Sequence, residues 1–236
     1  MIDYFTEGEF MKEVSFKVDN VGTKDGILTI EKLSKMLLEV SNLESNVADK
    51  FMDENNLTWM IYSWRFKLNR KIKIGEVIKI TTWVSNISKL KVSREFLIEI
   101  EGNVEGECKA EFLVIDIENK KAISAPKELI NYFEVYEKEL LSSNRIRRSE
   151  VNKLSSVSIY SSDFDKNMHI NNSVYIRWIE EFMYFRLKKY IKILEIVYSK
   201  EINSNIKIDI NCSKNNDYFE IYGNGLHAKG NIILFS

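Results

Sequence analysis

The chain has few of the residues that punctuate or cross-link proteins: its 236 residues include one proline, nine glycines and two cysteines. Cys108 and Cys212 are far apart and lack a CxxC or His-paired spacing. This argues against a disulfide framework or a zinc site. Cys108 is expected to be a small core residue, as most buried lone cysteines are. No metal ion or other cofactor is expected.

A strong charge of one sign and a long apolar run are also lacking. The 34 Lys and Arg residues nearly balance the 35 Asp and Glu residues, so no overall field gathers nucleic acid or an anionic membrane. Apolar runs such as MLLEV are broken by charge well before the roughly 18 to 20 residues of a membrane helix. The opening MIDYFTEGEF has neither a basic flank nor an apolar stretch, so no signal or transit peptide is expected, and the predicted location is the cytoplasm.

The residues that are present indicate a packed globular protein. A hydrophobic share of 44% supplies a core, and a charged share of 29% supplies a solvated surface, so a disordered chain is not expected. The length is enough for one large domain or two of ordinary size.

The first half of the sequence reads as a strand, a Gly-containing turn, a helix and then several strands. One helical face is predicted from apolar residues spaced by three, four or seven: Ile30, Leu33, Leu37, Val40 and Val47. From Trp59 to Asp116 the apolar period changes to two in four runs separated by turn residues: WMIYSWRFKL, EVIKITTWV, KVSREFLIEI and KAEFLVIDI. A helix followed by antiparallel strands is an α+β domain.

The second half repeats this order. A polar stretch without β-periodicity separates the halves, and beyond it a strand leads into a helix whose predicted apolar face is Ile176, Ile179, Met183, Leu187 and Tyr190. Two strand-like runs follow, NIKIDINCS and DYFEIYGNGLHA. We therefore predict a tandem repeat of one fold, with a first domain at residues 1–135, a linker at 136–152 and a second domain at 153–236.

The segment SDFDKNMHINN, residues 162–172, carries the strongest chemical signal. In an extended backbone its polar residues share one face and its apolar residues the other. The polar set is Asp163, Asp165, Asn167, His169 and Asn171, and the apolar set is Phe164, Met168 and Ile170. A helix is predicted immediately afterwards, with Asn172 or Ser173 as its N-cap. A helix N-terminus favours developing negative charge, as an oxyanion requires.

Hydrolysis of an acyl compound needs an activated water molecule and stabilisation of the tetrahedral oxyanion. His169 can accept a proton near neutral pH, Asp165 can orient the imidazole, and Asn167 can donate to a carbonyl oxygen. The alternative is an Asx-rich turn whose side chains only fix the backbone and cap the helix. The residue types alone leave both interpretations open.

The stretch SDFDKNMHINNSVYIRWIEE closely resembles the motif of the acyl-acyl carrier protein thioesterase family, a bacterial relative of the plant fatty acyl-ACP thioesterases. NLTWMIYSWRFKLNRKIKIGEVIKITTW, REFLIEI and GECKAEFLVIDIENKKAISAPKEL are similar to the family in order and spacing, so the resemblance covers nearly the whole chain. It implies a double hot-dog fold, in which each antiparallel sheet wraps a central helix. It also implies release of free fatty acid from acyl carrier protein in fatty acid biosynthesis.

The resemblance places the catalytic residues of the family on Asp165, Asn167 and His169. The family then has a Glu-Cys pair on a strand after the motif helix, and we match this pair to Asn211-Cys212. Asn211 cannot act as a carboxylate base, so Asp165 and His169 suffice, another acid substitutes or the enzyme is slow. Cys212 could be the nucleophile, as in papain-like chemistry. Direct attack by water is preferred.

The resemblance also implies an acyl pocket in the first domain, with candidate residues Met36, Leu37, Trp59, Met60, Trp64 and Trp83. Ordinary core packing is the alternative for each of them. Arg145, Arg147 and Arg148 are candidates for docking the acidic carrier protein, although basic clusters are usually solvated turns.

Two other functions stay open: a non-hydrolytic acyl-binding protein, suggested by Asn211, and an acyl-CoA thioesterase. A homodimer is possible, and the acyl chain length is not predicted.

Overall fold

Two long helices and one broad antiparallel sheet make up most of the protein. The computed structural model describes residues 4–5, 11–142, 146–165 and 168–236, with residues 4 and 5 described by their backbone alone. The helices are α1 (Ile30–Ser45), α2 (Asp49–Glu54), α3 (Lys127–Ile130) and α4 (Asn172–Leu187). The strands of the first half are β1 (Tyr4–Phe5), β2 (Lys12–Lys17), β3 (Thr23–Lys24), β4 (Ile27–Leu28), β5 (Leu57–Leu68), β6 (Val77–Ile87), β7 (Val92–Ile100), β8 (Asn103–Asp116) and β9 (Lys121–Ile123). Those of the second half are β10 (Asn152–Val157), β11 (Ile191–Tyr198), β12 (Ile208–Cys212), β13 (Tyr218–Tyr222) and β14 (Leu226–Leu234).

The main sheet runs through both halves of the chain. Its strand order is β1-β2-β6-β7-β8-β5-β11-β14-β13-β12-β10, with β9 paired to β8, while β3 and β4 form a separate hairpin. The halves join where β5 pairs with β11, from Lys67 opposite Ile193 to Ser63 opposite Val197. Each half adds one long helix to its part of the sheet. The expected α+β class and double hot-dog fold are confirmed, and the domain boundaries stay a prediction.

The sequence pattern predicts the first helix well and overestimates its length. Thr29 is the N-cap, and its side chain accepts a hydrogen bond from the N–H of Lys32 at 3.1 Å. Four of the five predicted face residues are buried, but Val47 is 58% exposed because α1 has ended at Ser45. The predicted strands coincide with β5 to β8, and parts of β6 and β7 are buried on both faces.

The second long helix buries Ile176, Ile179 and Met183, as predicted. It ends at Leu187, because Lys188 adopts a left-handed conformation with φ 53°. Tyr190 therefore lies beyond the helix, and the predicted face was too long. The sequence pattern predicts no strand at Ile191–Tyr198, yet β11 forms there and connects the two halves of the sheet.

A carboxylate on α4 connects the two helices. The side chain of Glu180 accepts hydrogen bonds from the N–H groups of Ile30 at 2.6 Å and Glu31 at 2.8 Å, which are the first two residues of α1. Helix α1 thus receives an acidic cap from the other half of the chain. Burial raises the pKa of Glu180 to about 7, although the two N–H donors oppose that shift.

The first part of the connection between the halves, residues 136–141, packs on the outer face of the first half of the sheet. Trp83, Glu95 and Lys109 are direct neighbours on β6, β7 and β8, and all three are buried. The indole N–H of Trp83 donates to the carbonyl of Lys138 at 2.8 Å. The N–H of Leu140 donates to Glu95 at 3.2 Å, and this bond also holds the connection on the sheet.

In the part of the chain that the structure describes, no helix is both long and apolar enough to cross a membrane.

Candidate active site

The loop before α4 is a tight turn, and the prediction of an extended segment was wrong. Residues 161–163 form a short 3-10 helix, and Phe164 then pairs with Ile170 as an antiparallel bridge. Inside this bridge the N–H of Asp165 donates to the carbonyl of His169 at 2.8 Å. The chain therefore doubles back and does not present alternate residues to two faces.

Met168 shows the consequence of this turn. It has a positive φ of 60° and is 65% exposed, so it is not an apolar anchor. Phe164 is half-buried and Ile170 is buried, as predicted. Asn167 lies outside the described residues.

Asp165 fixes the backbone at His169. One oxygen of the Asp165 carboxylate accepts a hydrogen bond from the His169 N–H at 3.0 Å. A contact of this Asx type is expected if the side chains of the motif fix the backbone of the loop, which was the alternative interpretation of the motif. The contact holds the histidine at the surface end of the turn, where its side chain keeps 35% exposure.

The base of the loop is held by an ion pair between a buried carboxylate and a partly exposed arginine. Asp163 is fully buried, and one of its oxygens lies 2.7 Å from Nη2 of Arg177 on α4. Its other oxygen accepts from the N–H of Tyr160 at 2.9 Å, and its carbonyl accepts from the N–H of Asn171 at 2.9 Å. A buried charge with these partners is fully satisfied, so Asp163 is a structural residue of the loop.

The N-terminus of α4 follows directly. Asn171 is the N-cap, one residue before Asn172 and two before Ser173, the predicted caps, and its side chain accepts from the N–H of Ser173 at 2.9 Å. The hydroxyl of Ser173 is buried and has no hydrogen-bond partner among the described residues. A buried hydroxyl without a partner is unusual in a folded protein, and here it stands in the first turn of a helix.

A second carboxylate lies close to the imidazole of His169. Nε2 of His169 is 3.4 Å from Oε2 of Glu201, whose side chain is 55% exposed. Glu201 stands in the turn that follows β11, the first strand after α4. The residue was not among the candidates because β11 was not predicted. The alternation of apolar residues in IKILEIVY was the available signal.

Asn211 and Cys212 lie on β12, the next strand along the chain. Asn211 is opposite Lys153 on β10 and Glu220 on β13. Cys212 is buried, and its Sγ donates to the carbonyl of Tyr218 at 3.0 Å. Of the two positions, it is Glu201 and not Asn211 that brings a carboxylate to the His169 imidazole, which argues against the match of the Glu-Cys pair to Asn211-Cys212.

Burial raises the pKa of Cys212 to about 11, so this thiol is protonated near neutral pH. We expect Cys212→Ala to keep hydrolytic activity within about threefold of the parent, since a protonated buried thiol is a poor nucleophile. Steady-state kinetics and mass spectrometry of the protein mixed with substrate check this. Complete loss of activity, with an acyl adduct on the parent protein, would contradict it.

The acyl-pocket candidates divide between the two faces of the sheet. Met36 and Leu37 are buried on α1, and Trp64 stacks on Phe66 in the core at 5.1 Å between ring centroids. Trp83 lies on the outer face beneath the connection, which argues against it as a pocket residue. Its indole N–H is held by Lys138 there.

Trp59, another acyl-pocket candidate, packs among aromatic rings and has one polar group, its indole N–H. It makes edge contacts with Phe112 at 6.3 Å and Phe133 at 5.9 Å, and its indole N–H is buried with no partner among the described residues. Met60 is the next residue on β5 and therefore points to the opposite face. Trp59 and Met60 do not line one surface.

The basic candidates lie in the connection between the halves. Arg147 and Arg148 are exposed, and Arg148 acts electrostatically on the Tyr218 phenol. Arg145 lies outside the described residues. Both described arginines lie at the surface, and Arg148 interacts with Tyr218, the first residue of β13.

Two family models match the chain in tandem. The model of the acyl-ACP thioesterase N-terminal domain matches residues 7–133, and that of the C-terminal domain matches residues 146–231. A chloroplastic acyl-[acyl-carrier-protein] hydrolase of Cuphea viscosissima is 25% identical over 138 residues, covering 54% of this chain and 34% of the relative. Oleoyl-acyl carrier protein thioesterase 1 of Arabidopsis thaliana is 23% identical over 177 residues, covering 65% of this chain and 49% of the relative. The chain thus spans between a third and a half of the length of these curated relatives.

Solved structures share the fold over nearly their whole length. An acyl-ACP thioesterase from Bacteroides thetaiotaomicron superposes with a TM-score of 0.85 at 19% identity, covering 95% of this chain and 98% of the other. The 12:0-ACP thioesterase from Umbellularia californica superposes with a TM-score of 0.81 at 14% identity, covering 98% and 99%. These likenesses show the double hot-dog fold.

Proposed function

Because the chain belongs to the acyl-ACP thioesterase family, whose two domain models together match most of it, we propose that it hydrolyses the thioester of fatty acyl-acyl carrier protein. The observation that carries this proposal is the contact of Glu201 with His169 beside the N-terminus of α4. A carboxylate and an imidazole next to helix N–H groups are what water activation and oxyanion stabilisation require.

The proposed reaction proceeds by direct attack of water on the thioester carbon. His169 and Glu201 act as one acid–base pair, which takes a proton from water as the oxygen–carbon bond forms. The tetrahedral intermediate then collapses, the carbon–sulfur bond breaks, and the same pair returns the proton to the leaving thiolate. The products are a fatty acid and the free thiol of the carrier, so atoms and charge balance without a covalent enzyme intermediate.

The oxyanion is assigned to the first turn of α4. Backbone N–H groups and the helix dipole favour negative charge at this end. The hydroxyl of Ser173, which has no partner in the described part of the chain, is a further donor in the same turn. The family resemblance adds Asn167 as a side-chain donor. Asp165 then serves the site by holding the backbone of His169.

We propose Glu201-Ile202 as the counterpart of the Glu-Cys pair of the family. This pair follows the first strand after the motif helix, and its first member contacts His169. The cysteine position is then Ile202, which has no thiol, and this supports water as the nucleophile. The assignment also removes the reason for a non-hydrolytic acyl-binding protein, because that alternative depended on a missing carboxylate.

The acyl chain is assigned to the first half of the protein, between α1 and the sheet. Met36, Leu37, Trp59 and Trp64 are the proposed lining residues, since they are apolar and lie wholly or partly in the core. A fatty acyl chain needs an apolar enclosure of this kind. Met60 and Trp83 are not proposed as lining residues, because their side chains lie on the opposite face of the sheet from Trp59 and Trp64.

A hydrolysis assay over acyl carrier protein and CoA thioesters of graded chain length tests the function. The proposal predicts release of free thiol and fatty acid, with higher kcat/KM on the carrier-bound series. Preference for CoA thioesters would make the protein an acyl-CoA thioesterase, and binding without thiol release would make it an acyl-binding protein. His169→Ala serves as the control for background hydrolysis.

Docking of the carrier is proposed at the arginines of the connection. Replacing Arg145, Arg147 and Arg148 with Ala should raise KM for the carrier-bound substrate severalfold and leave KM for a short CoA thioester unchanged, because the carrier protein is strongly acidic. Added salt should raise the parent KM similarly, since the Debye length falls to about 3 Å at 1 M.

Lys120→Ala with Lys121→Ala, a change of two exposed cations at the junction of a turn and the start of β9, is the control for docking. A carrier KM that responds neither to the arginine changes nor to salt would contradict this surface, and thiol release would still stand as a separate result.

We also propose a cytoplasmic location, since both cysteines are free thiols, as expected in a reducing compartment. Both hot-dog halves come from one chain, so the proposed site needs no second copy. Size-exclusion chromatography decides whether a homodimer forms.

A further inference from the structure

The turn that carries Glu201 is attached to two neighbouring elements. The N–H groups of Ser199 and Lys200 donate to the carbonyl of His227 on β14, at 2.8 and 3.3 Å. At its other end, the carbonyl of Ile202 accepts from the N–H of Ile170 at 2.8 Å. These hydrogen bonds attach one end of the turn to β14 and the other end to the loop of His169.

The His227 side chain adds a third attachment. Its Nδ1 is 3.0 Å from the carbonyl oxygen of Lys200, the residue before Glu201. A carbonyl oxygen only accepts hydrogen bonds, so Nδ1 carries a proton and donates it. The imidazole is 1% exposed, and burial lowers its pKa, which keeps the ring neutral near pH 7.

The rest of the imidazole is closely packed. Its Nε2 is buried and has no hydrogen-bond partner among the described residues. A Cβ added at Gly223 would lie 3.0 Å from this nitrogen and 2.9 Å from the Cδ1 atoms of Ile206 and Ile208. Nε2 therefore lies close to Gly223, and the one side-chain hydrogen bond of the ring among the described residues is directed at the turn.

We infer that His227 is a positioning residue for the proposed reaction: its Nδ1–H holds the Lys200 carbonyl and thereby keeps the Glu201 carboxylate at His169. The inference rests on the proposed function, because only that reaction uses Glu201. Leucine at this position fills a similar volume and cannot donate, so the Lys200 carbonyl loses a partner and the turn can shift. A shift of about 1 Å in a catalytic group can lower the rate by up to a hundredfold.

The test is a double-mutant cycle with Glu201. His227→Leu should lower kcat roughly ten- to hundredfold with KM nearly unchanged. In a Glu201→Gln background, His227→Leu should lower kcat hardly any further, because the carboxylate that His227 positions is already gone. His227→Asn should restore most of kcat, since its side-chain NH2 can donate from near the Nδ1 position. Ile208→Val, a small change in the apolar surroundings of the ring, controls for packing.

Amide hydrogen exchange supplies a readout that does not depend on activity. His227→Leu should accelerate exchange at Lys200, Glu201 and Ile202, and His227→Asn should not. Unchanged kcat and unchanged exchange in His227→Leu overturn the inference and leave the proposed function standing. An equal loss of kcat with and without Glu201 also overturns it, because that is the result of a general structural defect. If the parent hydrolyses no thioester, the proposed function fails, and the exchange data alone decide whether His227 holds the turn.

Discussion

His169→Ala and Glu201→Gln should each lower kcat/KM for the best acyl thioester by about a hundredfold or more, because general acid–base groups commonly contribute that much. The two side chains lie 3.4 Å apart, so they should act as a unit. The double variant is then expected to lose little more than the more damaging single change. Steady-state kinetics of the three variants, with thermal unfolding to confirm folding, measure this.

Two further variants make the Glu201 result specific. Glu118→Gln is the same chemical change on an exposed turn of the first half and should leave kcat/KM unchanged. Asn211→Ala should stay within a few-fold of the parent, because Asn211 lies on a different strand from the turn of Glu201. Parent-like activity in Glu201→Gln, or a large loss in Asn211→Ala, would falsify the assignment of the carboxylate.

Lys109→Met should destabilise the fold by about 3 to 5 kcal/mol, the usual result of removing one partner of a buried ion pair. Nζ of Lys109 lies 3.2 Å from the buried carboxylate of Glu95 and 3.1 Å from Glu139 in the connection. Its removal leaves Glu95 with hydrogen bonds from Ser85 and Leu140 and without the ion pair that Lys109 supplies. Urea unfolding at fixed pH measures the change in the free energy of unfolding.

Burial already raises the pKa of Glu95, against the opposing effect of Lys109. A carboxyl group with a raised folded-state pKa contributes stability that is lost as pH rises, since the folded state prefers its proton. The destabilisation by Lys109→Met should therefore be larger at pH 8 than at pH 5. Lys67→Met is the matched control, because Lys67 pairs with Glu107 at 2.7 Å but is 43% exposed. Lys67→Met should lower the free energy of unfolding by no more than about 1 kcal/mol at either pH. An equal, small effect of both changes would contradict the account of the buried pair.

Much of the fold could be predicted from local pattern. The residues Ile30, Leu33, Leu37 and Val40 recur at helical spacing and are buried in α1, and the period-two runs between Trp59 and Asp116 became β5 to β8. Element ends were less predictable, because backbone conformations such as the left-handed Lys188 are not visible in hydrophobic spacing. Strand β11 was missed since its apolar run continues from the helix with only two lysines between.

The candidate site depended more strongly on tertiary structure. The sequence by itself determined the family resemblance, the double hot-dog fold and the choice of His169, because those depend on residue identity and order. Only the tertiary structure decided that Glu201 meets His169, that the loop of Asp165 turns back on itself and that Trp83 lies on the outer face. The physical reason is that these facts depend on strand pairing, on a turn held by backbone hydrogen bonds and on sheet face. The contact of His169 with Glu201 joins residues 32 positions apart, and it exists because β11 and β14 hold the second turn beside the first.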